Sequence, residues 1–442
     1  MASIGTELTE AQSEAIATAV EAGFAEQARF LSALVRHASL RGAEAGAQDF
    51  LQREYEARGY AVERVRTRSV AGDPRFSPAT VPYDESWNLV AQKPSAGGPG
   101  RSLILNAHVD VVPTGPEARW TRAPFSGDVE GGRLHGRGAG DMKAGMAAIV
   151  FALDALAAAG FEPDGRVQIQ SVVEEEITGN GAATLLAAGH TADAILIPEP
   201  TEEALVRANT GVIKFRVTVL GNPTHPRDPD SGRSAIELAV HLMRRLKGLE
   251  QRWIAQAAAH EEFAGIPNPV ALTIGTIAGG EWIASLPSEC VLEGRVGFYP
   301  GEAPAARCAE FEAFVREVAG TDAEFRGADT PLLDWVGVCQ PGYVLAPGGA
   351  AEAVLAEAHA AIRSGGVRGG NQTLTAFTMP CYLDSTLFAV HAGMPALVYG
   401  PMVANIHGID EWVDLDSLKR VTKTIALFVA GWCGLRALQN RL

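Results

Sequence analysis

Cysteine is scarce in this 442-residue sequence: Cys290, Cys308, Cys339, Cys381 and Cys433 are odd in number and form no Cys-x-x-Cys pair. A disulfide framework and a cysteine-based zinc knuckle are excluded, and reduced, buried small side chains of a cytosolic protein are expected instead. No apolar run reaches the roughly 18 to 20 residues of a membrane span. The opening residues, MASIGTELTEAQSEA, have neither a basic segment nor an apolar one, so a cytoplasmic location without signal peptide or membrane partner is expected. Excess positive charge is missing too. With 37 Lys and Arg against 52 Asp and Glu, the formal net charge is −15, which argues against a nucleic-acid or anionic-lipid partner. There is no G-x-S-x-G elbow for a nucleophilic serine. Cys381, in TMPCYLDS, has no histidine beside it in sequence to make it a nucleophile.

What is present is a folded composition, 47% hydrophobic and 20% charged, in a chain long enough for two or three domains. Its chemistry-bearing residues stand at the ends of apolar segments. The run LIL at 103–105 reads as a buried strand that leads to His108 and Asp110, two residues apart and so on one side of an extended chain. A glycine-rich stretch, GGRLHGRGAGDMKAG, then brings Asp141 to the start of a helix ended by Gly160. The strand RVQIQSVV runs into Glu174, Glu175 and Glu176, three adjacent carboxylates that repel one another unless solvated or neutralised by cations. The strand DAILIPEP carries Glu199, and a distant histidine, His407, lies in NIHGIDEWV. These residues form an oxygen-and-nitrogen donor set suited to zinc, manganese or cobalt.

The motifs HVD at 108–110, GRGAGDMKAG at 136–145, EEEITGNGA at 174–182, PEPT at 198–201 and IHGIDEWV at 406–413 resemble those of the M20 metallopeptidases and deacylases. That group includes acetylornithine deacetylase, succinyl-diaminopimelate desuccinylase, aminoacylase-1 and glutamate carboxypeptidase, and the resemblance covers nearly the whole chain. It implies two divalent metal ions per subunit, most readily zinc, with cobalt or manganese as alternatives, bridged by Asp141. His108 and Glu199 would complete one ion's protein ligands, and Glu176 and His407 the other's. Glu175 would be the general base and Asp110 the carboxylate that orients His108. Glu174 stands where many relatives have Asp.

The chain order predicts an α/β catalytic domain with a mixed central sheet, zinc-peptidase-like by the resemblance, formed by 1–207 together with 328–442. Between these halves, at 208–327, a β-α-β-β-α pattern with a last strand at AEFRGA predicts an inserted α+β split βαβ, or ferredoxin-like, domain. By the resemblance this insert is a homodimerisation module. It also supplies a substrate-reaching histidine, matched by His225, for which a surface position without a role is the alternative reading. Arg295 matches a family arginine between sheet and site, or is a sheet-face residue. Arg368 and Asn371 can bind a substrate carboxylate, or are ordinary residues of a glycine-rich turn. Asp384 fits a helix-capping Asp, and the loop at 69–87 either lines the pocket or is passive surface. The activity implied is metal-dependent removal of an acyl group from a small N-acyl amino acid with a free carboxylate. A carboxypeptidase or dipeptidase is the first alternative. A hydrolase of an aromatic or heterocyclic amide or amine, with Trp282 and Phe298 as stacking residues, is the second.

Overall fold

Thr9 accepts from the backbone N–H of Gln12 while the Gln12 side chain accepts from that of Thr9, a capping box that starts the first helix, Glu10–Val35, where the sequence places it. The computed structural model describes residues 7–94, 98–225, 227–228, 231–364 and 373–438. Its six-stranded main sheet has the order Ala61–Arg66, Trp87–Gln92, Val167–Val172, Leu103–His108, Ala194–Ile197, Ala396–Val398. The first three strands are antiparallel neighbours and the remaining pairings are parallel, so the sheet is mixed as expected. Every residue of Leu103–His108 and of Val167–Val172 is buried, including the polar Asn106, Gln168, Gln170 and Ser171. Helices Glu10–Val35, Ala144–Ala158 and Leu415–Cys433 pack together beside this sheet, and Asn180–Ala187 packs on Ser385–Ala392.

A second apolar core belongs to a separate antiparallel sheet, ordered Leu272–Gly279, Glu289–Phe298, Gly211–Leu220, Leu332–Gln340. Read in chain order this is second, third, first, fourth, the split βαβ arrangement. In Gly211–Leu220 the alternation sends Phe215, Val217 and Val219 to the core shared with helices Ala235–Ile254 and Pro304–Thr321, while Lys214, Arg216 and Thr218 face away from it. The chain enters and leaves this unit side by side, with Asn209 paired to Tyr343 and Ala208 to Val344.

Three expectations need correction. The last strand of this sheet is Leu332–Gln340 and not AEFRGA, so the sheet runs past residue 327. Ala323–Phe325 is a short 3-10 turn whose Phe325 plugs the core, and the bulge that contains Gly337 (φ 79°) breaks the alternation that would have revealed the true strand. Asp384 heads helix Ser385–Ala392 but makes no capping bond; its carboxylate accepts the Tyr382 hydroxyl at 2.7 Å instead. Finally, Cys290 and Cys433 are buried, but Cys308, Cys339 and Cys381 are only partly so.

Candidate metal centre

Parallel strands that end together bring their C-terminal residues to one edge of the sheet, where open α/β sheets form sites. His108 ends one such strand, Glu174, Glu175 and Glu176 follow its neighbour, and Glu199 follows the strand on its other side. Asp141 arrives at the same edge from the glycine-rich turn, and His407 from a loop in which it holds a left-handed conformation (φ 58°).

The result is two donor groups that share one carboxylate. His108, Asp141 and Glu199 form the first, and Asp141, Glu176 and His407 the second, with the ligand atoms of each group lying within 4.8 Å of one another. His108 Nε2 is 3.1 Å from Asp141 Oδ1 and 3.8 Å from Glu199 Oε1. On the other side, His407 Nε2 is 3.4 Å from Asp141 Oδ2 and 3.0 Å from Glu176 Oε2. The two oxygens of Asp141 thus face different histidines. This is a binuclear metal-binding site of the kind used by metallohydrolases, and its carboxylate and imidazole donors suit divalent ions.

Electrostatics supports the fit. Burial pushes Glu175 and Glu199 well above the usual carboxylate range, and neighbouring acids add to the effect. Asp110 is pushed to about 7 and Asp384 to about 6 for the same first reason. Burial would also raise Asp141, but the hydrogen bonds from His108 and His407 outweigh it and hold that carboxyl below its ordinary value. Burial alone would lower both histidines. Bonds to Asp141 and Glu176 instead raise His407 to about 10, and Asp141, with Glu199 and Asp110, lifts His108 well above its ordinary value. A cluster that holds protons this tightly is short of positive charge, and divalent ions provide it.

The surrounding contacts refine the expected roles. His108 Nδ1 is 2.9 Å from the Asp110 main-chain carbonyl and 3.6 Å from its carboxylate, so the main chain of Asp110 orients the ring more closely than its side chain does. The Asp110 carboxylate accepts the backbone N–H groups of Glu175 and Glu176, at 3.3 and 3.1 Å, and so fixes the acidic run itself. Glu174 turns away from the centre: in a left-handed conformation (φ 69°) it accepts both Arg41, at 2.9 Å from Nη2, and the Tyr83 hydroxyl at 2.6 Å. The loop at 69–87 is accordingly anchored, since Ser77 also exchanges two hydrogen bonds with the Asn180 side chain.

Glu411 was not singled out by sequence reasoning. It is buried, pairs with Arg137 at 2.6 Å, and accepts the backbone N–H groups of Gly138, Gly140 and Asp141. Arg137 also reaches the Gly408 carbonyl at 2.9 Å, tying the Asp141 turn to the His407 loop. An arginine in the glycine stretch and an acidic pair, Asp410 and Glu411, just after His407 were the available signal.

Other expected site residues are not gathered here. His225 is exposed on the insert, with Nδ1 accepting from the Arg227 N–H, a local bond. Phe298 is fully buried beneath Gly211 and cannot stack on a ligand, whereas Trp282 is exposed on a hairpin of the insert. Arg295 points toward the catalytic unit, with Nη2 at 3.5 Å from the Pro380 carbonyl. Arg368 and Asn371 lie outside the described residues.

The model of peptidase family M20/M25/M40 matches residues 104–431. The chain belongs to this family. Among curated relatives, an N-formyl-4-amino-5-aminomethyl-2-methylpyrimidine deformylase from Halalkalibacterium halodurans is 30% identical over 357 residues, covering 76% of this chain and 80% of that one. A succinyl-diaminopimelate desuccinylase from Caulobacter vibrioides is 27% identical over 403 residues, 88% of this chain and 91% of the relative. The fold is similar to that of a di-peptidase from Saccharomyces cerevisiae, with a TM-score of 0.77 at 13% identity over 95% of this chain and 98% of that one. No described helix is long and apolar enough to cross a membrane.

A pH consequence follows for this M20-family centre. Free of metal, His407 titrates at about 10 and is protonated at neutral pH, but it must be neutral to bind an ion. Adding zinc to metal-free protein near pH 8 should therefore release protons, at least one of them from His407. Calorimetry in buffers of different ionisation enthalpy should show it, and His407→Ala should release fewer; buffer-independent heats would contradict the protonated histidine.

Proposed function

We propose that the protein hydrolyses the amide of a small N-acyl amino acid, releasing the acyl carboxylate and the free amine. The observation that carries this reading is the pair of donor groups sharing Asp141 with Glu175 buried beside them. When bound, divalent ions supply Lewis acidity toward a carbonyl oxygen and lower the pKa of water from about 15.7 toward 7. His108, Asp141, Glu176, Glu199 and His407 would hold them. Glu175 takes a proton from the attacking water and hands it to the leaving nitrogen, a role favoured by burial and the neighbouring acids, which keep its carboxyl basic. Glu175 can do this only if its neighbour Glu176 is neutralised by a cation, which is why adjacent acids suit this centre. Zinc is the metal we infer, with cobalt or manganese fitting the same donors.

Three further roles complete the proposal. Arg295 receives the substrate carboxylate, together with Arg368 and Asn371, because a short substrate has little else by which to hold its carbonyl in place. His225 serves the developing oxyanion, and its exposed position on the insert suits delivery to a second subunit's site. The homodimer forms through the insert, where Leu272–Gly279 is an uncovered sheet edge and Ile283, just beyond it, is 99% exposed. The 30% identity to a deformylase of a heterocyclic formamide favours a second reading, in which the leaving amine is an aminomethyl heterocycle in place of an amino acid.

Glu175→Gln should keep two ions per chain and lose roughly 10² to 10⁴ in turnover. Glu176→Gln should lose metal instead; equal metal loss in both variants would reverse the assignment of base and ligand. A panel of N-formyl, N-acetyl and N-succinyl amino acids, dipeptides, carboxylate-blocked amides and an N-formyl aminomethylpyrimidine separates the readings. Acyl amino acids should be preferred, whereas preference for dipeptides or for the formyl heterocycle would replace the first reading. Light scattering should give about twice the 46.5 kDa chain mass, and a monomer would remove the cross-subunit role of His225.

A further inference from the structure

On the core-averted face of the insert, where it meets Arg41, Thr80 and Ile177 of the catalytic unit, lies a cavity of about 530 Å³, lined also by Lys214, Thr273, Arg295 and others. Its floor holds an unusual pair. Lys214 and Arg295 stand directly opposite each other on the antiparallel strands Gly211–Leu220 and Glu289–Phe298, so both side chains leave the same face. One register step along that face, Arg216 opposes Glu293, and the two form an ion pair at 2.7 Å. Like charges directly opposed repel, and partial burial makes this worse. Lys214 donates to the Glu176 main-chain carbonyl, and Arg295 approaches the Pro380 carbonyl. The carboxylates whose charge acts on Lys214 are those of Glu176 and Glu175, the first assigned to a metal ion and the second to proton transfer. The other two arginines of the cavity are satisfied, Arg41 by Glu174 and Arg216 by Glu293. Space for the lysine is built in, since a side chain on Gly337 would meet the Ile177 carbonyl and the Lys214 stem.

We propose that Lys214, acting with Arg295, forms the anion subsite of the substrate pocket, and that Lys214 decides between carboxylate-bearing and neutral substrates. A carboxylate between the two cations removes their repulsion and accepts from both. The Lys214 bond to the Glu176 main-chain carbonyl ties this subsite to the backbone of a residue of the second donor group, one residue from the base. A small acyl amino acid can therefore reach from ions to anion subsite without a long side chain. This deepens the acyl-amino-acid reading and rests on it. It also makes the cavity a poor fit for a neutral heterocycle.

Succinate is a suitable probe, because one carboxylate can meet the metal centre and the other the cations. Titrated calorimetrically into the zinc-loaded full chain, it should bind the parent. It should bind Lys214→Met roughly 10- to 100-fold more weakly, the loss of one hydrogen bond to a charged group, with metal content unchanged. Lys214→Arg should restore binding. A parent that does not bind succinate, or a Lys214→Met that binds it as the parent does, overturns the proposal. If Lys214→Met loses metal or does not fold, Arg295→Gln carries the test, and undiminished succinate binding by that variant is equally fatal. Failure of the acyl-amino-acid reading looks different: succinate binding persists and depends on Lys214, while no carboxylate-bearing amide is hydrolysed.

Discussion

Asp110, Asp141, Glu175, Glu176 and Glu199 converge at one end of a buried sheet, and their mutual repulsion is the constraint that the rest of the structure answers. Two histidines do not balance them. In the absence of cations the cluster is forced to retain protons, which appears as raised carboxyl values at Glu175, Glu199 and Asp110 and as a His407 that titrates near 10. Divalent ions would relieve the repulsion; of the five acids Glu175 and Asp110 stand outside both donor groups, and Asp110 is occupied by backbone N–H groups. The same residues thus make the site costly to fold empty and competent when filled.

The outer contacts limit how far that repulsion can distort the ligands. Backbone N–H groups of the acidic run are held by Asp110, and those of the glycine turn by Glu411. Arg137 links this turn to the loop of His407, while Arg41 and Tyr83 draw Glu174 outward and anchor the loop at 69–87. Of the carboxylates near the centre, those of Asp141, Glu176 and Glu199 have a place in a donor group, those of Asp110 and Glu411 have backbone partners, Glu174 has an arginine and Asp384 a tyrosine hydroxyl. Among the described residues the Glu175 side chain has none of these, which suits the proton-carrying role proposed for it. Lys214 and Arg295, conversely, oppose each other across two strands and line a cavity, with no ion-paired carboxylate among the described residues.

Much of the centre was legible in the sequence because each donor ends an apolar strand or a glycine turn, and such punctuation survives in one dimension. His108, Asp141 and Glu199 could be named from it, whereas the choice of Glu176 among three adjacent acids and the part of His407 rested on the family resemblance; the structure brings all five together. What was not legible depended on pairing between distant segments. The partnership of Arg137 with Glu411 spans 274 positions, and the opposition of Lys214 to Arg295 exists only in the register of two strands. Asp384 looked like a cap because its neighbours begin a helix, yet Tyr382 claims its carboxylate. The strand Leu332–Gln340 was hidden by a bulge, and the apolar Phe325 imitated a strand while filling a core.

The centre itself is tested most directly by anomalous diffraction at the zinc edge from crystals grown with zinc. Two peaks are expected, on opposite sides of the Asp141 carboxylate, one beside His108 and Glu199 and the other beside Glu176 and His407. A single peak, or two that do not share Asp141, would contradict the bridged pair on which the hydrolytic reading stands.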